Sequence, residues 1–228
     1  MQMRRRIFLI VSLLMVSATC YGQTDFNYKR DFKLILEQTK DSTSRLAYNA
    51  LLTRFKANDT TMTDYEVLAL LIGFTAKEAF KPYGDLQNEM DIYSLNENRK
   101  YRNAIDTASV FLQKHPLSQQ AIIEKSYALE QLGYDDSSKH YRYQFTRIMK
   151  AMEFSGDGRK KPMFALGPAD GQNYITIHLG QKIGTMGSGS DADGNFVDML
   201  EVHPSDGSPS YLLRFVIQHA MDRMFPTD

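Results

Sequence analysis

"MEFSGDGRKKPMFAL", residues 152–166, is the stretch on which the reading of this chain turns. It leaves a helix-like segment, passes Gly156, Gly158 and three cations, and enters an apolar run, so it is either a phosphate cradle or a hinge between two architectures. A phosphate loop places its glycines after a strand and before a helix, where backbone amides and the positive helix end converge on the anion. Here the order is reversed, and an anion would meet the partly negative C-terminal end of a helix. The stretch therefore reads as a helix stop, with Gly156 in the left-handed capping conformation, Asp157-Gly158 in a turn, and Arg159-Lys160-Lys161 on a solvated connector.

Working outward, the two sides are punctuated differently. Of fourteen glycines, ten lie at or after Gly156, whereas residues 23–154 contain only Gly73, Gly84 and Gly133. Glycine favours turns and is disfavoured inside helices. The expected fold class is α+β: helical hairpins over 23–154, packed with a small antiparallel β domain over 155–228, after a leader at 1–22.

The helical side carries its signals in spacing. Tyr48, Leu51, Leu52 and Phe55 form one stripe, and Val67, Leu70, Leu71 and Phe74 another. Thr63 followed by Glu66 makes a capping box at the start of the second. Phe80-Lys81-Pro82-Tyr83-Gly84 is expected to end it, because the residue before proline is pushed away from helical geometry. Residues 85–100 read as a long polar connection. "YRNAIDTASVFLQKHPLSQQA", residues 101–121, then puts Tyr101, Ala104, Ile105, Ala108, Phe111 and Leu112 on one face. That pattern, closed by Pro116, resembles the second helix and exit of a tetratricopeptide repeat. A helix over 119–132 follows, and Ser138, Tyr141, Phe145, Ile148, Met149 and Met152 trace a third face. Only one and a half such units are present, fewer than an autonomous solenoid needs.

Beyond the boundary, Met163–Leu166, Tyr174–Leu179, Phe196–Val202 and Tyr211–Ile217 have strand character. Pro168-Ala169-Asp170-Gly171 and Asp206-Gly207 supply turn signals, and His219–Phe225 a closing helical turn.

The N-terminus opens with Arg4-Arg5-Arg6, the apolar run Ile7–Met15 and a small-residue exit, the pattern of a secretory signal peptide too short to span a bilayer. Cleavage after Gly22 gives soluble export; lipidation of Cys20, after Ser17-Ala18-Thr19, is the alternative, disfavoured by the bulk of Thr19. Either way the chain is expected outside the cytosol, with no transmembrane segment in its mature form. Cys20 is the only cysteine, so no disulfide supports the fold. Removing the three arginines takes Lys plus Arg from 27 to 24 against 27 acidic residues, a net charge of about −3. That balance speaks against a nucleic-acid partner, which would want a concentrated basic face.

Several constellations invite chemistry. Asp191, Asp193 and Asp198 in "GSGSDADGNFVD", residues 187–198, resemble part of a calcium loop, but the first and twelfth ligand positions are Gly189 and Leu200, and a polar hairpin loop explains them better. The five histidines never form a close ligand pair. Ser188 lacks the leading glycine of a nucleophile elbow, and a triad with His178 or His203 and Asp198 is not signalled by order or spacing. Arg54 and Tyr83 are candidates for orienting a ligand, and Ser155 and Asp157 for a site between the halves. No catalytic residue and no cofactor is expected.

Taken together, Leu51-Leu52-Thr53-Arg54-Phe55, the Asp59-Thr60-Thr61 turn, Phe80–Tyr83, the Pro116 hairpin, Ser155-Gly156-Asp157-Gly158 and the Tyr211–Ile217 strand before Met224-Phe225 resemble the exported proteins, mostly of Bacteroidota, grouped as domain of unknown function 4919. The resemblance implies export and architecture and supplies no reaction. The function expected is noncatalytic binding of a protein or peptide partner in the cell envelope. The rival is a periplasmic or surface hydrolase whose site lies between the halves.

Overall fold

The computed structural model describes residues 25–225; the stretch 1–22 expected to be a signal peptide, and Cys20 within it, lie outside them. Seven helices come first: α1 (Tyr28–Lys40), α2 (Tyr48–Lys56), α3 (Asp64–Phe74), α4 (Leu86–Glu97), α5 (Tyr101–Lys114), α6 (Gln119–Gln131) and α7 (Asp135–Ser155). Then come β1 (Met163–Phe164), α8 (Pro168–Asn173), a π-helical turn (Tyr174–His178), β2 (Lys182–Ser190), β3 (Phe196–His203), β4 (Tyr211–Val216) and α9 (Gln218–Met224). The α+β fold class is as expected, with the change of architecture at the end of α7.

The centre of the helical part is α3. Every residue from Val67 to Phe74 is buried, and the helix packs against α1, α2 and α7. Its start is the capping box: Glu66 N–H donates to Thr63 Oγ1, and Thr63 N–H donates to Glu66 Oε2. The helix stops at Phe74, eight residues before Pro82, so proline is not what ends it; the chain passes through turns at 75–79 first. Residues 86–97 are helical and not a connection. In α4 only Ile92 and Asn96 are buried, so the helix has no apolar stripe. Asn96 Nδ2 donates to the Glu124 carboxylate at 2.6 Å, tying α4 to α6 through a polar pair.

The sheet runs β1-β4-β3-β2 and is mixed, not wholly antiparallel: β1 lies parallel to β4, while β4–β3 and β3–β2 are antiparallel. The β1–β4 pair forms because β1 enters directly from the α7 connector. Ser155 Oγ, fully buried, donates to Met152 O at 2.6 Å and accepts from Phe164 N–H at 2.7 Å, stapling the end of α7 to β1. One hydrophobic cluster then runs from Leu51, Leu68 and Leu70 through Met149 and Met152 to Phe164, Val202 and Phe215, so both halves bury apolar area against each other.

Two expectations fail on the C-terminal side. The stretch Tyr174–Leu179 is not a strand: Tyr174–His178 is a π-helical turn continuing α8, and Leu179 caps it. Gly167-Pro168 starts that helix with proline at its first turn, and Asp170 accepts from the Gly167 amide, so helical geometry propagates into the β-branched residues. Tyr174 Oη and His178 Nε2 then fasten the turn to Glu153 of α7. Lys182–Ser190 is strand β2, so the first residues of the expected polar hairpin loop, Ser188 among them, are strand; β2 is an edge of the sheet and mostly exposed.

Candidate ligand cleft between the helices and the β1–α8 connector

The residues expected to form sites are placed apart. Arg54 pairs with Asp59 at 2.7 Å and Glu66 at 2.6 Å, bracing α2 against the start of α3. Tyr83 Oη donates to Met221 Sδ of α9 at 3.3 Å. Ser155 is the buried staple. Asp157 is exposed, and its Oδ1 accepts from the backbone amides of Arg159, Lys160 and Lys161 at 2.8–2.9 Å. The connector thus does form an amide nest, but its own carboxylate fills it. That bonding holds Asp157 below the usual carboxylate range. The left-handed residue is Gly158 (φ 70°), while Gly156 is extended at φ 179°. The required glycine is therefore two residues later than expected, because α7 ends by straightening before the turn.

The hairpin aspartates also close on themselves. Asp191 accepts from Asp193 N–H, Asn195 N–H and Asn195 Nδ2; Asp193 accepts from Asn27 Nδ2; and Asp198 lies one strand away, accepting from Ser188 Oγ at 3.3 Å. Among the described residues no group of three or more His, Cys, Asp or Glu is arranged to hold a metal ion.

What the fold does bring together is a different set. A small cleft of about 50 Å³ opens where the 80–85 turn, α4 and the α5–α6 corner meet the β1–α8 connector. Phe74, Phe80 and Phe111 supply apolar wall, and Asp85, Glu89, His115, Ser118 and Asp170 supply polar groups. His115 Nδ1 lies 3.0 Å from Asp85 Oδ2, and its ring stacks on Phe111 with centroids 4.3 Å apart. Burial lowers the His115 pKa, with Asp85 opposing, and raises that of Asp85, with His115 and Lys81 opposing. Ser118 Oγ donates to Glu89 Oε1 at 2.6 Å while accepting from Ala121 N–H as the cap of α6. Asp170 Oδ2 accepts from Leu166 N–H at 2.8 Å and Gly167 N–H at 3.2 Å.

Asp170 is the most perturbed carboxyl of the cleft. Burial raises it, the Glu89 charge adds to the rise, and the two amides oppose it, leaving its pKa at about 7. Burial also raises Glu89, helped by the Asp85 charge and opposed by the Ser118 hydroxyl. Glu89 and Asp170 each spend one oxygen on a protein donor, and the second oxygen of each has no hydrogen-bond partner among the described residues.

Sequence reasoning passed over these groups. Asp85 and Glu89 sit four residues apart, a spacing that places them on one helical face, but they stood in a segment read as a connection. Asp170 stood in a turn signal, and His115 beside the proline that closes a hairpin.

The fold and cleft define a helical α+β protein with a small acidic, aromatic-walled pocket. The profile described as "Domain of unknown function (DUF4919)" matches residues 33–170, and the chain belongs to that family. The match contains Asp85, Glu89, His115, Ser118 and Asp170 and stops before β2. No curated protein and no solved structure matches the chain. No helix among the described residues is long and apolar enough to cross a membrane.

Proposed function

We propose that the protein is an exported, noncatalytic binding protein of the cell envelope, with a protein or peptide partner, and that the cleft is where the partner is held. The leader at 1–22 supports export, with Cys20 as the alternative anchor. The observation that carries the binding reading is the half-satisfied state of Glu89 and Asp170 among three phenylalanine rings: hydrogen-bonding capacity remains in a concave site whose walls favour an apolar stem. The reading is tested by capture from envelope extract with the native chain and with Ala169→Leu, which fills the cleft. A partner retained by the first and lost by the second is expected; capture that ignores the substitution would overturn the cleft as the seat of binding. Intact mass of the exported chain tests cleavage after Gly22 against acylation of Cys20.

One observation favours the rival hydrolase, the Asp85–His115 contact, since a carboxylate beside Nδ1 is how an acid–base histidine is oriented. Among the described residues no serine hydroxyl is poised as its nucleophile. The Ser118 hydroxyl is engaged with Glu89 and the α6 amide, and it makes no hydrogen bond to His115 among the described residues. Ester or amide turnover abolished by His115→Ala would establish the hydrolase; its absence across a broad substrate panel rejects it.

A further inference from the structure

Resting on that binding reading, we propose that the cleft recognises a primary ammonium group at the end of an aliphatic stem, the chemistry of a lysine side chain or a free alkylamine. Glu89 enters from α4 and Asp170 from α8; both line the cleft, and each has one carboxylate oxygen with no hydrogen-bond partner among the described residues. Asp170 is 9% exposed, so the carboxyl as a whole sits in a mostly buried setting where a charge-assisted hydrogen bond counts for more than in water. Asp85 adds a third acid to the lining. The protein's own cations do not meet the demand: Lys81 lines the cleft and its charge acts on Asp85, but it makes no ion pair with Glu89 or Asp170 among the described residues.

A bare metal ion is a poor fit, because the carboxylates are not arranged to ligate one together. An ammonium group carries three donors that can reach acceptors on separate walls. About 50 Å³ accommodates on the order of three waters, or a head group of a few heavy atoms. The faces and edges of Phe74, Phe80 and Phe111 suit the methylenes behind that head and add cation–π attraction.

The test is an amide-resolved NMR titration of the exported chain with three probes: N-acetyl-lysine methylamide, n-butylammonium and the uncharged N-acetyl-norleucine methylamide. The two cations are expected to shift the amides of Ser118, Ala169 and Asp170, and the norleucine probe is not. Glu89→Gln is expected to weaken the cations about tenfold, the loss of one charge-assisted contact. Ala169→Leu is expected to abolish the shifts, and unchanged resonances of β3 and β4 in both variants verify the fold. Tighter binding of the lysine probe assigns the source to a peptide, and tighter butylammonium binding to a free amine; either supports the inference. Equal binding of the norleucine probe overturns the ammonium assignment while leaving the binding reading intact. Cation shifts that ignore both substitutions, or no cation binding while Ala169→Leu still abolishes capture from extract, also overturn it. Loss of both capture and probe binding by the native chain sinks the binding reading as well.

Discussion

Two turns on the way from α7 to α8 use the same device, an aspartate accepting backbone amides, and reach opposite electrostatic outcomes. Asp157 takes three amides in solvent and is held below the usual carboxylate range. Asp170 takes two amides inside the protein, facing Glu89, and is driven up to about 7. Hydrogen bonding favours the charged form in both, so burial and a like charge decide the difference. The first carboxylate is consumed in shaping a loop. The second keeps an oxygen free in a cleft, and that is where a ligand could gain from it.

The sharpest way to break this comparison is Asp170→Asn, which keeps an acceptor for the turn amides and removes the titration. The ordinary carboxyl value is 3.8 and the folded value about 7, so the folded state holds more protons between them. Asp170 therefore contributes stability that is full below about 3.8 and lost as pH rises through about 7. Urea midpoints are expected to show this alkaline-side loss, up to about 4 kcal/mol by pH 8, in the native chain and not in the variant. Identical pH profiles would mean that Asp170 is not desolvated.

A second buried group acts in the opposite sense and masks part of that slope. His219 of α9 is buried among Tyr28, Phe32, Phe80 and Phe164, its ring stacked on Phe164 with centroids 4.7 Å apart. Burial lowers its pKa from 6.5 to about 3, so the unfolded chain holds the extra proton in that range. Its stabilising contribution is full above about 6.5 and is lost as pH falls towards about 3, on the order of 3 kcal/mol by pH 4. His219→Phe is expected to remove this acid-side loss, and pairing it with Asp170→Asn separates the two slopes. An acid limb unchanged by His219→Phe would assign the loss to other groups.

How far the sequence could be read follows from what each signal measures. Apolar spacing found α2, α3, α5, α6 and α7 because each buries a face, and it missed α4, which is held by Asn96 and Glu124 as much as by Ile92. β-branched alternation found β3 and β4. It failed at Tyr174–His178, where the Pro168 start and the Glu153 anchors override local preference, and at β2, where Gly184, Gly187 and Gly189 leave little pattern to see. The change of architecture was legible at Ser155, because glycine content reports backbone freedom. The cleft was not legible, since Asp85, Glu89, His115 and Asp170 converge only through packing of α4, the α5–α6 corner and α8.

The connector itself yields the two smaller tests. A Cβ on Gly156 would stand 2.4 Å from Pro162 O and 2.6 Å from Lys161 O, both backbone atoms, so Gly156→Ala must displace the chain where α7 hands over to β1. The expected cost is about 2 kcal/mol in urea unfolding, with the Ser155 staple loosened. Asp157→Ala, three amides notwithstanding, is expected to cost under about 1 kcal/mol, because water reaches those donors once the carboxylate is gone. Asp157 is depressed below 3.8, so its contribution is present above that value and fades as pH falls further; the variant should differ from the native chain at neutral pH and converge with it in strong acid. If instead Asp157→Ala is as damaging in strong acid as at neutral pH, the loss does not come from the charge of the carboxylate, and the turn depends on the Asp157 side chain for its shape alone.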